Sequence, residues 1–434
     1  VVVGAGPAGI AAACRAAEEG ADTLLLDENQ APGGQIWRRG TGTPPPAARR
    51  WLERLERSGA RVERGLAVWD ARSGILSVDR AAGGRPLGQE GGTYEVGPCE
   101  VGWERLVVTT GARELFLPFP GWTLPGVLGL GGLQAMAKSG ASVAGSRIAV
   151  TGSGPLILPV AATLAEKGAE LVVVAEQAPG WALRRFAAGL WRSPGKWLQA
   201  ADLRRRFLAT RFRTGTWVAS AAGDDALAEV TLTDGRRTWT EPCDLLAASY
   251  GLVPNLELAR LLGCELADGA VAVDAGQRSS VENVLCAGEV CGIGGADSAL
   301  AEGQIAGLVA AGPPGGGGAI EPALLARRHA ARRFAARLEA AFAPRRELFE
   351  RLEPETIVCR CEDVPWSEID PGWSMRQAKL YRRVGMGPCQ GRICGAALER
   401  LCGWPPDTVR PPLKPVTAAT LARAGDRAGR IAAE

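Results

Sequence analysis

Two strand, glycine-loop, helix, strand segments, beginning at Val1 and at Arg147, and two close cysteine pairs near the end of the chain predict an α/β protein. The expected architecture is two Rossmann-like dinucleotide-binding domains followed by a small, mainly helical domain built around the cysteines. Residues 1–116 and 256–310 are expected to form the first dinucleotide domain, with 117–255 inserted into it as the second. A linker and helical arm over 311–350, the cysteine domain over 351–403 and a tail over 404–434 complete the expected order.

The first segment reads "VVVGAGPAGIAAACRAAEEGADTLLLDENQ". Gly4 permits the tight turn after the strand, Gly6 lets backbone approach a pyrophosphate, and Gly9 allows close packing of helix on strand. Pro7 and Ala8 lie between them, at the positive end of the coming helix, where an anion is stabilised. Asp27 closes the second strand, where a carboxylate can take ribose hydroxyls, with Glu28 directly after it.

The second segment, "GSRIAVTGSGPLILPVAATLAEKGAELVVVAEQ", repeats the pattern with Gly152 and Gly154, and Glu176 ends its second strand. Its third glycine position is Ile157, flanked by Pro155 and Pro159. A branched side chain there should push the helix off the strand and narrow the groove. Glu176 disfavours a 2′-phosphate, so a nicotinamide cofactor bound here would be NAD, at a site whose fingerprint is degraded.

Composition narrows the function. A net charge of +3 over 434 residues gives no case for nucleic acid. Nor does any apolar run reach the about 20 residues of a membrane-spanning helix, so an integral membrane protein is not expected. Eleven scattered cysteines argue against a disulfide framework and fit a reducing, cytoplasmic compartment. His329 is the one histidine, which nearly closes histidine-based catalysis and His-rich metal sites to this chain. No other convincing acid, base or nucleophile marks a substrate pocket. Four of the 13 tryptophans interleave with arginines between Trp181 and Trp217, a pattern of a helical hairpin or a partner interface. The chain begins inside a strand without Met, and residues are expected before Val1.

Three further segments resemble those lining FAD in the two-dinucleotide-domain flavoprotein disulfide reductases. They are "PGGQIWR" with Gly34 and Gln35, "VVTTGARE" with Thr110 and Gly111, and "SVENVLCAGEVCGIGGADSALAEGQIAG". In the last, Gly288-Glu289 stands where those enzymes hold the flavin ribityl chain, with Glu in place of their Asp. Gly292, Gly295 and Ala296 would open the next helix toward the pyrophosphate. The resemblance implies FAD and a disulfide-reductase-like fold. Those enzymes' redox cysteine pair is missing, so disulfide reduction is not expected.

The cysteine pairs read C-x-C at Cys359 and Cys361, then C-x-x-x-x-C at Cys389 and Cys394. Four thiolates suit a tetrahedral zinc or a [2Fe–2S] cluster, and ordinary thiols are the third reading. C-x-C is cramped for two ligands on one metal, which favours the cluster, and Gly385, Gly387, Gly391 and Gly395 could bring backbone amides to its sulfides. Cys402 stands outside the pairing. This pattern resembles the bacterioferritin-associated-ferredoxin-like [2Fe–2S] domain. With "LLAASYGLVPN" and "RPPLKPV" it is similar to the α subunits of opine oxidases, D-hydroxyproline dehydrogenase and hydrogen cyanide synthase. One departure is a shortened interval around "SEIDPGWSM". The resemblance implies an electron-transferring subunit beside a flavoprotein β subunit of the D-amino-acid-oxidase type. A small ferredoxin-like γ subunit, FMN at a subunit interface, a respiratory electron acceptor and peripheral attachment at the inner membrane face are its further implications. The rival expectation is a self-sufficient NADH-dependent FAD/[2Fe–2S] reductase.

Overall fold

The computed structural model describes residues 1–37, 45–80, 99–192, 194–313, 319–405 and 408–422. Arg38, linker residues 314–318 and the tail beyond residue 422 lie outside them. The chain divides into two compact units: Val1–Arg113, Pro254–Ala335 and Thr408–Glu434 form one, Glu114–Val253 and Ala336–Asp407 the other. The segment expected as a separate cysteine domain therefore lies in the second unit, with the second glycine loop.

The first unit is built on a parallel sheet in the order Val284–Cys286, Leu106–Val108, Val2–Val3, Leu24–Asp27, Arg61–Arg64. The four inner strands read as short apolar runs rather than alternating ones, as burial on both faces requires, while Arg61–Arg64 at the edge is charged and exposed. Helix Pro7–Glu18 packs directly on helix Gly295–Ala311. Gly303 and Gly307 make that contact possible: a Cβ on either would stand 2.1 Å from the Ala8 carbonyl oxygen or 2.3 Å from that of Ala12. Ile10, Leu25, Val107 and Ile305 fill the core around them. An antiparallel sheet of Leu66–Arg72, Ile75–Arg80 and Cys99–Gly102 completes the unit, and the Leu413 amide bonds to the Trp69 carbonyl.

The second unit carries a parallel sheet in the order Phe212–Thr214, Glu170–Glu176, Arg147–Gly152, Leu245–Ser249, Val127–Leu128. Helices Gly180–Gly189 and Pro194–Arg205 form the tryptophan-rich stretch. There Trp181, Trp191 and Trp197 are exposed and Trp217 is buried. The cysteine segment is a hairpin, Ile357–Cys359 with Val364–Pro365, then helices Met375–Arg382 and Cys394–Cys402. Ser374 and Gln377 form a capping box that starts the first of these helices. Val358, Val364, Met375, Val384, Leu398 and Trp404 make a separate small core. Arg351 and Trp122 rivet this segment to the rest of the unit. The Arg351 guanidinium bonds the Tyr250 hydroxyl at 3.0 Å and the Leu117 carbonyl at 3.2 Å, and the Trp122 ring N–H donates to the Ile357 carbonyl at 2.6 Å.

Candidate functional site

At the first glycine loop each glycine has a separate physical reason. Gly4 sits at φ +103°, and a Cβ there would come within 2.5 Å of the Thr109 carbonyl oxygen. On Gly9 a Cβ would lie 1.8 Å from the Gly4 carbonyl oxygen, so helix and loop touch backbone to backbone. Gly6 differs: it caps helix Pro7–Glu18, and a Cβ on it would meet nothing within 4 Å. Open space in front of unsatisfied first-turn amides, at the positive end of a helix, fits a pyrophosphate.

Asp27 braces this loop. One carboxylate oxygen accepts from the Ala5 amide, and the other accepts from the amide and side chain of Asn29 at 2.6 and 2.7 Å. Glu28 is ion-paired with Lys414, a partner that sequence reasoning did not single out. Gly33 donates to the Ala5 carbonyl at 2.7 Å, and a Cβ on Gly34 would fall 2.9 Å from the Gly6 Cα. Gln35 is exposed. Thr110 and Gly111 are tied to Asn255: the Thr110 hydroxyl donates to its carbonyl at 2.7 Å, and its amide donates to the Gly111 carbonyl at 2.9 Å.

The third expected flavin segment comes to the same loop. A Cβ on Gly288 would stand 2.7 Å from Ala8 Cβ, and helix Gly295–Ala311 begins close by, with Ala296 in its first turn. The Glu289 carboxyl accepts from the Gly295 amide, and burial pushes it above the usual carboxylate range. Beneath the segment lies Glu302, which is 0% exposed. It accepts from the Gly288 amide at 3.0 Å, the Ser298 hydroxyl at 2.9 Å and Arg332 at 2.6 Å. The sequence signal for it was an acid in the middle of the mostly apolar helical stretch "ALAEGQIAGLVAA". Removing one partner of a buried ion pair costs about 3–5 kcal/mol. Since Arg332 is 29% exposed and can reach water, Glu302→Ala should cost about 3 kcal/mol, the low end of that range. A urea unfolding midpoint shift of less than a third of that would refute the reading.

In the second unit Gly152 takes φ +141°, and a Cβ there would press 1.8 Å against the Ser249 carbonyl oxygen. The helix does not follow Gly154 as the first helix follows Gly6. It begins at Ile157, with Pro155 and Leu156 outside it, and Ile157 is buried in the core. Ile157, at the third glycine position, is thus the first residue of the helix, three after Gly154. Glu176 accepts from the Gly154 and Ala178 amides at 2.8 Å each, and burial pushes its carboxyl up to about 8. Its folded pKa lies above its unfolded value of 4.5, so the unfolded state binds fewer protons between these values. Stability present below pH 4.5 is therefore lost as pH rises to about 8. Glu176→Gln should flatten that decline in thermal scans at pH 5, 6.5 and 8. Parallel curves for the two proteins would contradict the assignment.

The four cysteines pair across the sequence rather than along it. Cys359 and Cys394 are buried with sulfurs 4.0 Å apart, while Cys361, exposed, hydrogen-bonds Cys389. Two thiolates bound at about 2.3 Å to one tetrahedral metal stand about 3.8 Å apart, so the spacing of the buried pair fits two ligands on one iron. Among the described residues no three His, Cys, Asp or Glu side chains gather as one metal-holding group. Two separate pairs suit two irons better than one zinc. A hydrogen bond from Cys394, then one from the Gly385 amide at 3.5 Å, lowers Cys359 to about 6, so it is readily available as a thiolate. Gly387 is required by close approach, since a Cβ there would fall 2.3 Å from Cys361 Cβ. The Gly391 backbone turns at φ +76°. Gly395 does not serve as expected: its amide is spent within its own helix turn, donating to the Gly391 carbonyl at 2.7 Å.

With the geometry described, comparison with known proteins is informative. Residues 1–305 match the family model of the pyridine nucleotide-disulphide oxidoreductases. An opine oxidase subunit of Rhizobium meliloti (strain 1021) is 33% identical over 97% of this chain and 98% of its own. Hydrogen cyanide synthase subunit HcnB of Pseudomonas aeruginosa is 31% identical over 92% of each. Among solved structures, L-proline dehydrogenase from P. horikoshii superposes with TM-score 0.65 at 18% identity, covering 97% of this chain and 78% of that one, a likeness of fold. The chain is an FAD-dependent oxidoreductase. It belongs to the pyridine nucleotide-disulphide oxidoreductase family, among the relatives of these opine oxidase and hydrogen cyanide synthase subunits.

Proposed function

We propose that this chain is the electron-relaying subunit of a heteromeric dehydrogenase acting on amino acids or on opines, the latter being secondary amines. The crossed pairing of Cys359 with Cys394 and of Cys361 with Cys389, in a chain with a flavin-type glycine loop, carries the reading. FAD, when bound, supplies electron exchange in pairs or singly, which matches a two-electron donor to a one-electron carrier. Gly6 and the Ala8 and Gly9 amides would hold the pyrophosphate, and Asp27 keeps the loop in shape. Glu302 fixes the Gly288 amide beside the first turn of the loop helix.

Cys359, Cys361, Cys389 and Cys394 would hold a [2Fe–2S] cluster. The buried pair sits in the small core, and Cys361 faces solvent, where an acceptor can approach. Amine oxidation is assigned to a partner of the D-amino-acid-oxidase type, and the final acceptor to the respiratory chain. Relatives named as subunits over their whole length support a partner. So does His329, the sole histidine, which is exposed on helix Pro322–Phe342. No helix among the described residues is long and apolar enough to cross a membrane.

Iron and acid-labile sulfide analysis of anaerobically purified protein tests the cluster. About two of each per chain are expected, as a [2Fe–2S] centre requires. Stoichiometric zinc without sulfide would overturn it.

A further inference from the structure

We infer that the second dinucleotide groove is closed by the chain's own segment Phe342–Arg345, and that Ser153 and Gln177 hold it there and exclude a nicotinamide dinucleotide. In a doubly wound unit the adenosine half of a dinucleotide lies beside the acid ending the second strand, over the glycine loop. Here those positions are Glu176, the Gln177 that follows it, and Ser153 between the two loop glycines. All three are sealed: Gln177 is 0%, Glu176 2% and Ser153 4% exposed.

Glu176 is bonded within its own loop, whereas Ser153 and Gln177 are covered by backbone more than 160 residues later. The Ser153 hydroxyl donates to the Phe342 carbonyl at 2.6 Å. The Gln177 amide donates to Ser153 Oγ at 2.8 Å, to the Ala343 carbonyl at 3.1 Å and to the Phe342 carbonyl at 3.3 Å. In return, the Arg345 amide donates to Gln177 Oε1 at 3.2 Å. Phe342 ends helix Pro322–Phe342, so its carbonyl is one that the helix cannot satisfy itself. Ser153 and Gln177 cap it. Around the bonds, Phe342 packs edge-on against Phe186 at 5.7 Å, and the Arg345 guanidinium lies 4.0 Å over the Trp217 ring.

The first unit differs at one of these three positions. Glu28, its residue directly after the acid, is 44% exposed, although Lys414 pairs with it. Ala5 and Asp27, at 0% and 5% exposed, are as buried as Ser153 and Glu176, so the units differ at the residue after the acid, where a later backbone segment crosses Gln177. NADH could enter only by breaking the bonds around Gln177 and by separating Phe342 from Phe186. Electrons would then have to reach this chain from another protein, a consequence that rests on the relay reading, whereas the closure rests on the bonds alone.

Hydrogen exchange on the FAD-loaded full chain tests this. The Arg345 amide, bonded to Gln177, should be protected within the peptide spanning Ala343 to Glu347, and 1 mM NADH should change neither its exchange nor the oxidised flavin spectrum under anaerobic conditions. Ser153→Ala with Gln177→Ala should speed exchange of that peptide at least about tenfold, the effect of losing about 1.4 kcal/mol of local stability. Trypsin should then also cleave after Arg345 or Arg346, with FAD content unchanged. Unprotected exchange in the wild-type chain, or NADH that slows exchange and bleaches the flavin, would overturn the inference. The wild-type arm decides even if the double variant does not fold. Loss of iron or of a partner would leave this readout untouched, so failure of the relay reading is seen separately.

Discussion

Replacing Cys359 or Cys394 with serine should strip iron and sulfide from the chain while leaving FAD in place. Both side chains are buried among Val358, Val384, Leu398 and Trp404, where a hydroxyl has neither the softness nor the acidity of a thiolate. Loss of an outer-shell partner alone costs about 10–100-fold in metal affinity, and loss of a direct ligand in the buried pair should exceed that. The exposed pair is expected to be more forgiving, because water can reach the Cys361 position and supply an oxygen ligand. Cys402→Ser is the internal control. That thiol is half-buried, held up at about 11 by burial, and lies outside both pairs, so iron content should not change. Iron retained by both Cys359→Ser and Cys394→Ser would remove these residues from the ligand set.

Two alanine substitutions in one loop should separate folding from flavin binding. Gly9→Ala places a Cβ 1.8 Å from the Gly4 carbonyl oxygen and 2.6 Å from the Thr109 hydroxyl, so backbone must move. Overpacking of this kind costs about 3 kcal/mol or more, and the apoprotein should be destabilised along with FAD binding. Gly6→Ala meets nothing within 4 Å, and its φ of −74° is ordinary for alanine. Apoprotein stability should therefore stay within about 0.5 kcal/mol of wild type. FAD affinity should nevertheless fall at least about tenfold, because the methyl group takes the space assigned to the pyrophosphate. Urea midpoints of the two apoproteins and FAD retention on gel filtration check the pair. Equal FAD affinity in wild type and Gly6→Ala would move the pyrophosphate elsewhere.

The glycine loops were legible in the sequence because their reasons are local. A tight turn, a bare helix start and a close crossing each show as a glycine at a fixed offset from a strand. That Ile157 breaks this offset was legible too, but the expected consequence was a helix pushed off the strand, and its later start was not foreseen. Tertiary pairings were not. Spacing groups Cys359 with Cys361, whereas the turn between the hairpin strands and the loop before Cys394 pairs them crosswise. The glycine amides divide on equally tertiary grounds: Gly385 reaches a sulfur, while Gly395 is consumed by its own turn. Glu302 could have been found, because an acid within an apolar helix must have partners. The Phe342–Arg345 closure left no such trace. Its acceptors are main-chain carbonyls, which carry no residue signature, and Ser153 and Gln177 read as ordinary members of a loop and a strand end.

The central claim is that electrons come to this chain from a partner's oxidation of an amine. Anaerobic mixing of the chain with its D-amino-acid-oxidase-type partner tests it, with flavin absorbance and the EPR signal of a reduced cluster followed after adding the amine and, separately, NADH. The amine should reduce both centres only when the partner is present, and NADH should reduce neither. Rapid reduction by NADH of the chain alone would contradict it.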